Sequence, residues 1–395
     1  MAGMTAQADP VELEDRRMKI TAVKPFIVSA QERNFFFVKV ETDAGLYGIG
    51  EGGITWREQA IAEAANSLAP LLVGEDASRL EHLWQVMWRS GFFPAQRILG
   101  AAISAIDVAL WDIRGKAFGV PVFELLGGRV RDRVVCYPHN GGRTIGDLVA
   151  SCKRSADAGW KFVRWGVSDD RGGEVFEPSR AVRHTIAQCE AVRAALPEIE
   201  ILIDVHTRLD PPDTIRLCRE VERFHPFFIE DPLRVENLDA LRQVRAQTAV
   251  PLAVGEHLAG KWEFRPLIEQ EFINYARVDL GIVGGLTEAR KVAALCEAHY
   301  IALAPHNPLG PVSAAACLHL CLAAPNFGVC ELARIPNNYL KDVFPVQVEL
   351  QAGHLLPPTR PGLGIEFDEP AAKAHPFKPG RHHRLRREDG SFTNW

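Results

Sequence analysis

The stretch IEILIDVH (199–206) decides the fold, because its apolar run closes on a carboxylate, Asp204. Two later runs close in the same way: PFFIE ends in Glu230 and PLAVGE ends in Glu256, at intervals of 26 residues. An apolar run followed at once by a carboxylate is typical of a buried parallel strand. An interval of 26 residues accommodates one strand, one helix and two short loops, so the repeat predicts successive strands of a (β/α) barrel.

Three carboxylates at the same end of neighbouring strands predict a metal site. Adjacent parallel strands are about 4.8 Å apart, so Asp204, Glu230 and Glu256 would converge on one ion. Without a cation, three such anions would repel one another strongly. Oxygen ligands favour Mg²⁺, with Mn²⁺ as a substitute, over zinc. A single acid at a strand end often caps the next helix instead, but three in register favour the metal interpretation.

Length and composition are those of a soluble globular protein. The chain has 395 residues, of which 47% are hydrophobic and 24% charged, enough to bury a large core in two domains. The net charge of -5 gives no basic surface, which argues against nucleic acid as a partner. The sequence contains no apolar run of membrane-spanning length, and residues 1–17 are too polar for a secretory signal. We therefore expect a cytoplasmic protein that acts on a small molecule without a membrane partner.

The pattern changes along the chain and suggests where the domains lie. Residues 1–17 are interpreted as a flexible tail, and residues 18–133 as an α+β capping domain with an antiparallel sheet and several helices. Residues 134–340 alternate between strand and helix patterns, as a barrel does. Residues 341–395 form a C-terminal segment that is expected to pack back against the capping domain.

Four glycines in the first domain imitate a dinucleotide-binding loop. They lie in LYGIGEGG (46–53). A dinucleotide loop requires its glycines between a strand and the start of a helix, and this segment does not fit that template. We therefore discard nucleotide binding here.

The barrel pattern contains eight strand candidates. Each is a short apolar run bounded by turn residues, and helical patterns separate them. The runs are VVCYPHN (134–140), KFVRWG (161–166), ILIDVH (201–206), PFFIED (226–231), PLAVGE (251–256), YARVDL (275–280), IALAPH (301–306) and NFGVCEL (326–332). Catalytic groups in such barrels come from the C-terminal ends of the strands.

Several of these strand ends carry catalytic residue types. Asp279 and His306 end neighbouring strands, so the carboxylate would orient the imidazole and raise its basicity. His206 follows Asp204 by two residues, so strand alternation points both side chains to the same mouth, where His206 would donate a proton. Glu331 ends the last strand and would hydrogen-bond a substrate oxygen.

The whole pattern resembles the enolase superfamily, and within its mandelate racemase subgroup the acid-sugar dehydratases. The resemblance extends from about Lys19 to Glu369. Its most specific parts are the helix AAISAIDVALWDIRGKAFGVPVFELLGG (101–128), Glu230-Asp231-Pro232 within the acid triplet, GGLTEARK (284–291) and APHNPLGPVS (304–313). The resemblance implies an α+β capping domain over a modified (β/α)7β TIM-like barrel.

The resemblance also implies a site. One Mg²⁺ would be bound by Asp204, Glu230 and Glu256, and Asp279 and His306 would form a catalytic dyad. The Asp204-x-His206 motif is similar to that of galactonate dehydratase, in which the histidine acts as the general acid.

The second strand departs from many relatives. They carry a lysine base there, and galactonate dehydratase is similar in having Lys-x-Asn, whereas this chain has Arg164 and Gly166. Arginine stays protonated and is a poor base, so racemisation, which needs bases on both faces of the α-carbon, is disfavoured. Mannonate dehydratases look similar in having an arginine at this place, and Tyr137-Pro-His139-Asn140 is similar to their first strand. They generally lack the acid found here as Asp279.

The expected function is Mg²⁺-dependent dehydration of an aldonate to a 2-keto-3-deoxy acid through an enediolate. Arg164 would pair with the substrate carboxylate or the enediolate. Two alternatives stay open: a cycloisomerising or lactonising enzyme of the same superfamily, and a non-catalytic regulatory barrel. Product analysis separates the first, because a 2-keto acid gives a semicarbazone and a lactone does not.

Substrate specificity is expected to come from capping-domain loops and the loop after the second strand. Gluconate, galactonate and mannonate all fit the resemblance. Related enzymes form dimers or octamers, so we expect a homo-oligomer. The candidate substrate-binding residues are His139, Asn140, Trp165, Arg33 and Trp56.

Overall fold

The computed structural model describes residues 18–31, 33–380 and 384–394, so the predicted tail, residues 1–17, lies outside the described residues. The described part of the chain begins with an antiparallel sheet in the order β1-β2-β3. Its strands are β1 (Ile20–Ala30), β2 (Arg33–Thr42) and β3 (Tyr47–Gly52).

Helices follow this sheet, and the longest is mostly apolar and is buried along most of its length. They are α1 (Glu58–Leu72), α2 (Leu80–Arg89), α3 (Ile98–Phe118) and the short α4 (Val122–Leu125). A helix without a continuous polar face is typically buried, and α3 lies between β3 and the second-domain helix Gly285–Ala298. Glycines of β3 allow this close packing, because a Cβ at Gly48 would lie 1.9 Å from Ala109 O and one at Gly50 1.7 Å from Ala105 O. The glycines therefore serve helix packing.

The second domain is a closed barrel of eight parallel strands. Strands β5 to β10 pair in sequence order, and β11 pairs in parallel with β4. Parallel bridges between His139 and Arg164 and between Leu303 and Phe327 complete the ring. The strands are β4 (Val134–Tyr137), β5 (Phe162–Gly166), β6 (Glu200–Asp204), β7 (Phe228–Glu230), β8 (Leu252–Val254), β9 (Tyr275–Ala276), β10 (Ala302–Leu303) and β11 (Cys330–Glu331). The predicted fold class is confirmed.

Helices connect successive barrel strands and form the outer layer. They are α5 (Ile145–Asp157), α6 (Pro178–Ala195), α7 (Pro211–Val221), α8 (Leu238–Arg245), α9 (Lys261–Glu269), α10 (Gly285–Ala298) and α11 (Pro311–Ala323), with a 3-10 turn at Glu222–Phe224. Among the described residues, no helix is both long and apolar enough to span a bilayer.

The C-terminal segment contacts both domains. A hairpin of β12 (Leu350–Gln351) and β13 (His354–Leu355) adds to the barrel sheet, where β13 pairs antiparallel with β4. Helix α12 (Glu369–Lys373) lies against the first sheet, and Lys39 Nζ is 2.9 Å from Glu369 Oε2. The expected boundaries at 133/134 and 340/341 stay predictions.

Two buried acids of the capping domain clamp it to the barrel. Glu51 accepts hydrogen bonds from the backbone N–H of Gly310 at 2.7 Å and of Ser313 at 2.8 Å, at the start of α11. Asp107 accepts the N–H of Thr287 at 2.9 Å in the first turn of α10. Helix N-termini favour such acceptors. Burial nevertheless raises the pKa of both carboxyls to about 7.

Candidate active site at the barrel mouth

The candidate site is a layer of polar side chains above an apolar layer inside the barrel. The apolar layer consists of Tyr137, Phe162, Leu202, Phe228, Ala253, Ala304 and Val329. Side chains of a strand alternate between its two faces, so the residue two positions later faces inward again. That step gives His139, Arg164, Asp204, Glu230, His306 and Glu331. Six of the predicted site residues therefore share one face for a purely geometric reason.

Glu256 reaches the site in a different way, because it is one residue out of this alternation. Strand β8 ends at Val254, and Gly255 follows with φ 144, in the region that favours glycine. A Cβ at Gly255 would lie 2.5 Å from the ring of Phe264. The glycine turns the chain at the barrel mouth and leaves Glu256 buried next to His306, with Glu256 Oε2 3.5 Å from His306 Nε2.

One side of the site combines an arginine, an aspartate and a histidine. Arg164 forms an ion pair with Asp204, and its Nη2 is 3.2 Å from His206 Nε2. Asp204 Oδ2 lies 2.8 Å from the same His206 nitrogen, and Asp204 Oδ1 accepts the backbone N–H of His206 at 2.7 Å. Burial and the charge of Arg164 hold the pKa of His206 well below its usual range.

The other side is a histidine among carboxylates. His306 Nδ1 is 2.7 Å from Asp279 Oδ2, and Asp279 Oδ1 accepts the N–H of Gly281 at 2.7 Å. Asp279 is thus fixed and in turn fixes the ring. The second ring nitrogen, Nε2, is 3.9 Å from Glu331 Oε2. Because Nδ1 is occupied by Asp279, Nε2 is the nitrogen that can exchange a proton with a substrate.

Sequence analysis missed Arg277, which links two site carboxylates inside the barrel. The side chain is fully buried, and its Nη2 lies 2.6 Å from Glu230 Oε1 and 2.5 Å from Glu331 Oε2. Burial opposes the charges, but Arg277 holds the pKa of Glu331 well below its ordinary range and lowers that of Glu230. A cation within the apolar run YARVDL was the available signal, because an arginine is seldom buried without a charged partner.

Buried carboxylates at this mouth fit a divalent cation. Asp231, Glu256 and His257 each offer a ligand atom within 4.8 Å of the others. Both oxygens of Asp231 and Oε2 of Glu256 are buried and accept no hydrogen bond from the described residues. Burial, and then the charges of Asp231 and Glu230, raise the pKa of Glu256 well above its ordinary range. A hard cation with oxygen ligands would satisfy this group.

The structure arranges the three predicted metal ligands in different ways. Glu256 belongs to the cluster with Asp231, whereas Glu230 pairs with Arg277 and Asp204 pairs with Arg164. Asp231 was visible in the sequence beside Glu230, but it was not assigned a role. Its backbone has φ 40, the left-handed conformation that non-glycine residues seldom adopt.

Among the predicted substrate-binding residues, His139 lies in the site and Asn140 does not. His139 Nε2 is 2.5 Å from Glu331 Oε1, and 33% of the His139 side chain is exposed. Asn140 is the next residue along and points outward, where its Nδ2 donates to Ser155 Oγ at 2.8 Å. Its position corrects the expectation of substrate contact, because alternation puts only one of the two neighbours inside.

Trp165, Arg33 and Trp56 lie in different surroundings. Trp165 follows the inward Arg164, so it faces the outer helices and is 2% exposed within the hydrophobic core. This position corrects its assignment as a substrate-binding residue. Arg33 Nη1 donates to Pro308 O at 2.9 Å and Nη2 to Thr55 Oγ1 at 2.7 Å, so it ties a capping loop to the loop after His306. Trp56, at φ 68, lies in the same capping loop as Thr55, and its role stays a prediction.

Comparisons with known proteins agree with this geometry. The family model described as mandelate racemase / muconate lactonizing enzyme, N-terminal domain, matches residues 11–127. The model described as enolase C-terminal domain-like matches residues 147–371, more than half of the chain. The two matches together cover the capping sheet with its helices and all of the barrel strands except β4.

Individual relatives extend over nearly the whole chain. The D-galactonate dehydratase of Ralstonia pickettii is 36% identical, over 96% of this chain and 100% of the relative. The D-mannonate dehydratase Caul1427 of Caulobacter sp. is 34% identical, over 93% and 98%. A crystal structure of an enolase from Pantoea ananatis with bound D-gluconate and Mg superposes with a TM-score of 0.91 at 31% identity, over 95% of this chain and 100% of that one.

Proposed function

Because the chain belongs to the mandelate racemase and muconate lactonizing enzyme family of the enolase superfamily, we propose that it dehydrates an aldonate to a 2-keto-3-deoxy acid. The observation that carries the proposal is the presence, at one barrel mouth, of a carboxylate-oriented histidine and a second histidine beside an arginine. Relatives named galactonate and mannonate dehydratases support the same reaction class.

The proposed cofactor is Mg²⁺. Asp204, Glu230 and Glu256 would hold it, with Asp231 and His257 beside Glu256. The buried oxygens of Asp231 and Glu256 that accept no hydrogen bond from the described residues support this assignment, and the Pantoea structure contains Mg and D-gluconate. When bound, the ion would withdraw charge from the substrate carboxylate and so acidify the C2 proton.

His306 is the proposed general base. Its Nε2 would accept the C2 proton, and the electron pair of the broken C2–H bond would move into the carboxylate to give an enediolate. Asp279, 2.7 Å from Nδ1, would stabilise the imidazolium that results and keep the ring in position. This arrangement corresponds to the way a carboxylate supports a catalytic histidine in other enzymes.

His206 is the proposed general acid. It would donate a proton to the 3-hydroxyl as the C3–O bond breaks, so that the electrons of the enediolate form the C2–C3 double bond and water leaves. The resulting enol then becomes the 2-ketone. Arg164 would bind the carboxylate charge during the reaction, because its guanidinium stays protonated and presents several N–H donors.

The absence of a lysine from β5 favours dehydration over racemisation. Racemisation needs a base on each face of C2, and Arg164, which faces the site from β5, stays protonated and is a poor base. With a base on one face and a proton donor at the neighbouring carbon, elimination of water is the reaction that this site supports.

A screen of mono- and diacid sugars with Mg²⁺ tests the proposal. The formation of 2-keto-3-deoxy acid is measured by semicarbazide absorbance, and His306→Ala and His206→Ala serve as matched variants. We expect one or a few aldonates to react with the wild type and neither variant to do so at a comparable rate. A lactone product would instead identify a cycloisomerase. Absence of turnover across the library with Mg²⁺ bound would indicate a non-catalytic barrel.

A further inference from the structure

A C-terminal strap, residues 384–394, contacts the loop after β5 and the turn after β6, both of which are distant from it in the sequence. Near its beginning, Arg386 N–H donates to Glu174 O at 2.7 Å, and Phe176 N–H donates to Arg386 O at 2.8 Å. These bonds form a short parallel bridge between the strap and the loop that follows β5. Arg171 in that loop also forms an ion pair with Glu388.

The end of the strap reaches the turn that carries His206. Thr393 is buried, and Asn394 Nδ2 donates a hydrogen bond of 2.8 Å to the backbone carbonyl of Thr207. Asn394 and Thr207 are 187 positions apart in the chain. This contact therefore exists only because the last residues fold back over the barrel.

The turn at His206 needs external support. His206 has φ 50 and Thr207 has φ 57, two successive non-glycine residues in the left-handed region. This conformation is unfavourable for residues with a Cβ, so it persists only where surrounding contacts hold it. Asp204 Oδ1 holds the N–H of His206 at 2.7 Å, and Asp231 O holds the N–H of Thr207 at 2.9 Å.

Those two contacts come from the barrel strands, whereas Asn394 restrains the carbonyl side of the same turn. The turn and the loop after β5 also contact each other directly, because Arg208 Nη1 donates to Val167 O at 2.8 Å. The strap thus connects the loop after β5 with the turn after β6. A small rotation of the turn would move the His206 ring away from a substrate hydroxyl.

We propose that Asn394 is a positioning residue that acts through the Thr207 carbonyl to hold His206 in place for proton donation. The inference rests on the proposed dehydration and adds a specific role for the C-terminal strap in its second step. His306 and Asp279 lie on the other side of the site and make no use of this contact, so abstraction of the C2 proton should not depend on it.

The test separates the two proton transfers. Wild type, Asn394→Ala and Asn394→Asp are compared in D₂O, together with Ser391→Ala, a control at an exposed position of the same strap. Dehydration is measured as 2-keto acid, and proton abstraction as deuterium at C2 of recovered substrate. For both Asn394 variants we expect a fall in dehydration of about 10-fold to 100-fold, with C2 exchange retained. The ratio of exchange to dehydration therefore rises, and Ser391→Ala behaves as wild type.

Two results would overturn the inference. Either Asn394→Ala dehydrates the substrate as fast as wild type, or exchange and dehydration fall together, which would indicate a general structural role. Deletion of residues 384–395 should reproduce the point variants if the shortened chain folds, and the point variants decide the question if it does not.

A second measurement is independent of turnover. Amide hydrogen exchange followed by mass spectrometry should show faster exchange in the peptide containing residues 204–208 for Asn394→Ala than for wild type. Equal protection would count against the inference. If wild type dehydrates no aldonate, the proposed function fails, while this measurement still decides whether Asn394 holds the turn.

Discussion

His206 and His306 lie at the same barrel mouth, yet their surroundings are opposite. His306 has Asp279 at 2.7 Å from one nitrogen and Glu256 at 3.5 Å from the other. His206 shares Asp204 with the guanidinium of Arg164, whose charge adds to burial in lowering the pKa of the imidazole. A low pKa makes the His206 imidazolium a strong proton donor, which suits its proposed role as general acid, whereas Asp279 orients His306 to accept a proton. The comparison shows how one residue type acquires two roles from its neighbours.

The two histidines also differ in how the backbone holds them. His306 and Asp279 are joined by a parallel bridge just beyond the ends of β10 and β9, so strand pairing extends to the proposed base. His206 lies beyond its strand, in a left-handed turn. Its position depends on side-chain and long-range contacts, so it should be the more easily disturbed of the two.

Removal of the metal should disable both histidines at once and therefore has the largest expected effect. We expect a chelator to abolish both dehydration and C2 exchange, because the C2 proton is very weakly acidic without charge withdrawal from the carboxylate. Mg²⁺ should restore both rates. Glu256→Gln should behave like chelated enzyme, and Glu269→Gln, an exposed acid, should not. Turnover that persists in the presence of chelator would show that the buried carboxylates do not bind a metal that the reaction requires.

Replacing each histidine in turn should affect C2 exchange and dehydration differently. His306→Asn should lower both C2 exchange and dehydration by about 100-fold to 10,000-fold, the usual contribution of a general base. His206→Asn should lower dehydration alone. Deuterium incorporation in recovered substrate and 2-keto acid in the product measure the two steps. If both variants lost exchange equally, the assignment of base and acid to separate histidines would be wrong.

Removing the charge of Asp279 should weaken the action of His306 without changing the surroundings of His206. Asp279→Asn keeps the shape but removes the charge that stabilises the His306 imidazolium. We expect kcat to fall by about 10-fold to 100-fold with little change in KM, because Asp279 acts through His306. Steady-state kinetics on the substrate identified in the screen provide the measurement. A rise in KM with unchanged kcat would instead make Asp279 a substrate-binding residue.

The last expected effect is on stability, not on turnover, and concerns the clamp that holds the capping domain over the histidines. Burial raises the pKa of Asp107 from 3.8 to about 7, so the folded protein holds this proton more tightly than the unfolded chain. Its contribution to the free energy of unfolding is therefore largest below about pH 4 and is lost as the pH rises through about 7.

Asp107→Asn should remove this dependence. Relative to the variant, wild type should lose on the order of 3 kcal/mol of stability between about pH 4 and about pH 7. Urea unfolding of both proteins across this range gives the measurement. A constant difference between wild type and variant would show that Asp107 is ionised in the folded state throughout.

Much of the site followed from the sequence because an apolar run and the residue that closes it are neighbours in the chain. Asp204, Glu230, His306 and Glu331 were predicted as strand ends, and in the structure strand alternation from the inner apolar layer points all four inward. The same rule, applied to each neighbour, would have excluded Asn140 and Trp165. Their assignment relied on residue type, which does not say to which face a side chain points.

The sequence alone determined the barrel, its active end and the facing pair of Asp279 and His306, because spacing and periodicity are properties of neighbouring residues. Tertiary structure alone decided how distant segments meet. Arg277 links Glu230 to Glu331 across the barrel, and Asn394 reaches Thr207 from the far end of the chain. Such contacts depend on the closure of the whole ring and the return of the C-terminal strap, and no local periodicity encodes them.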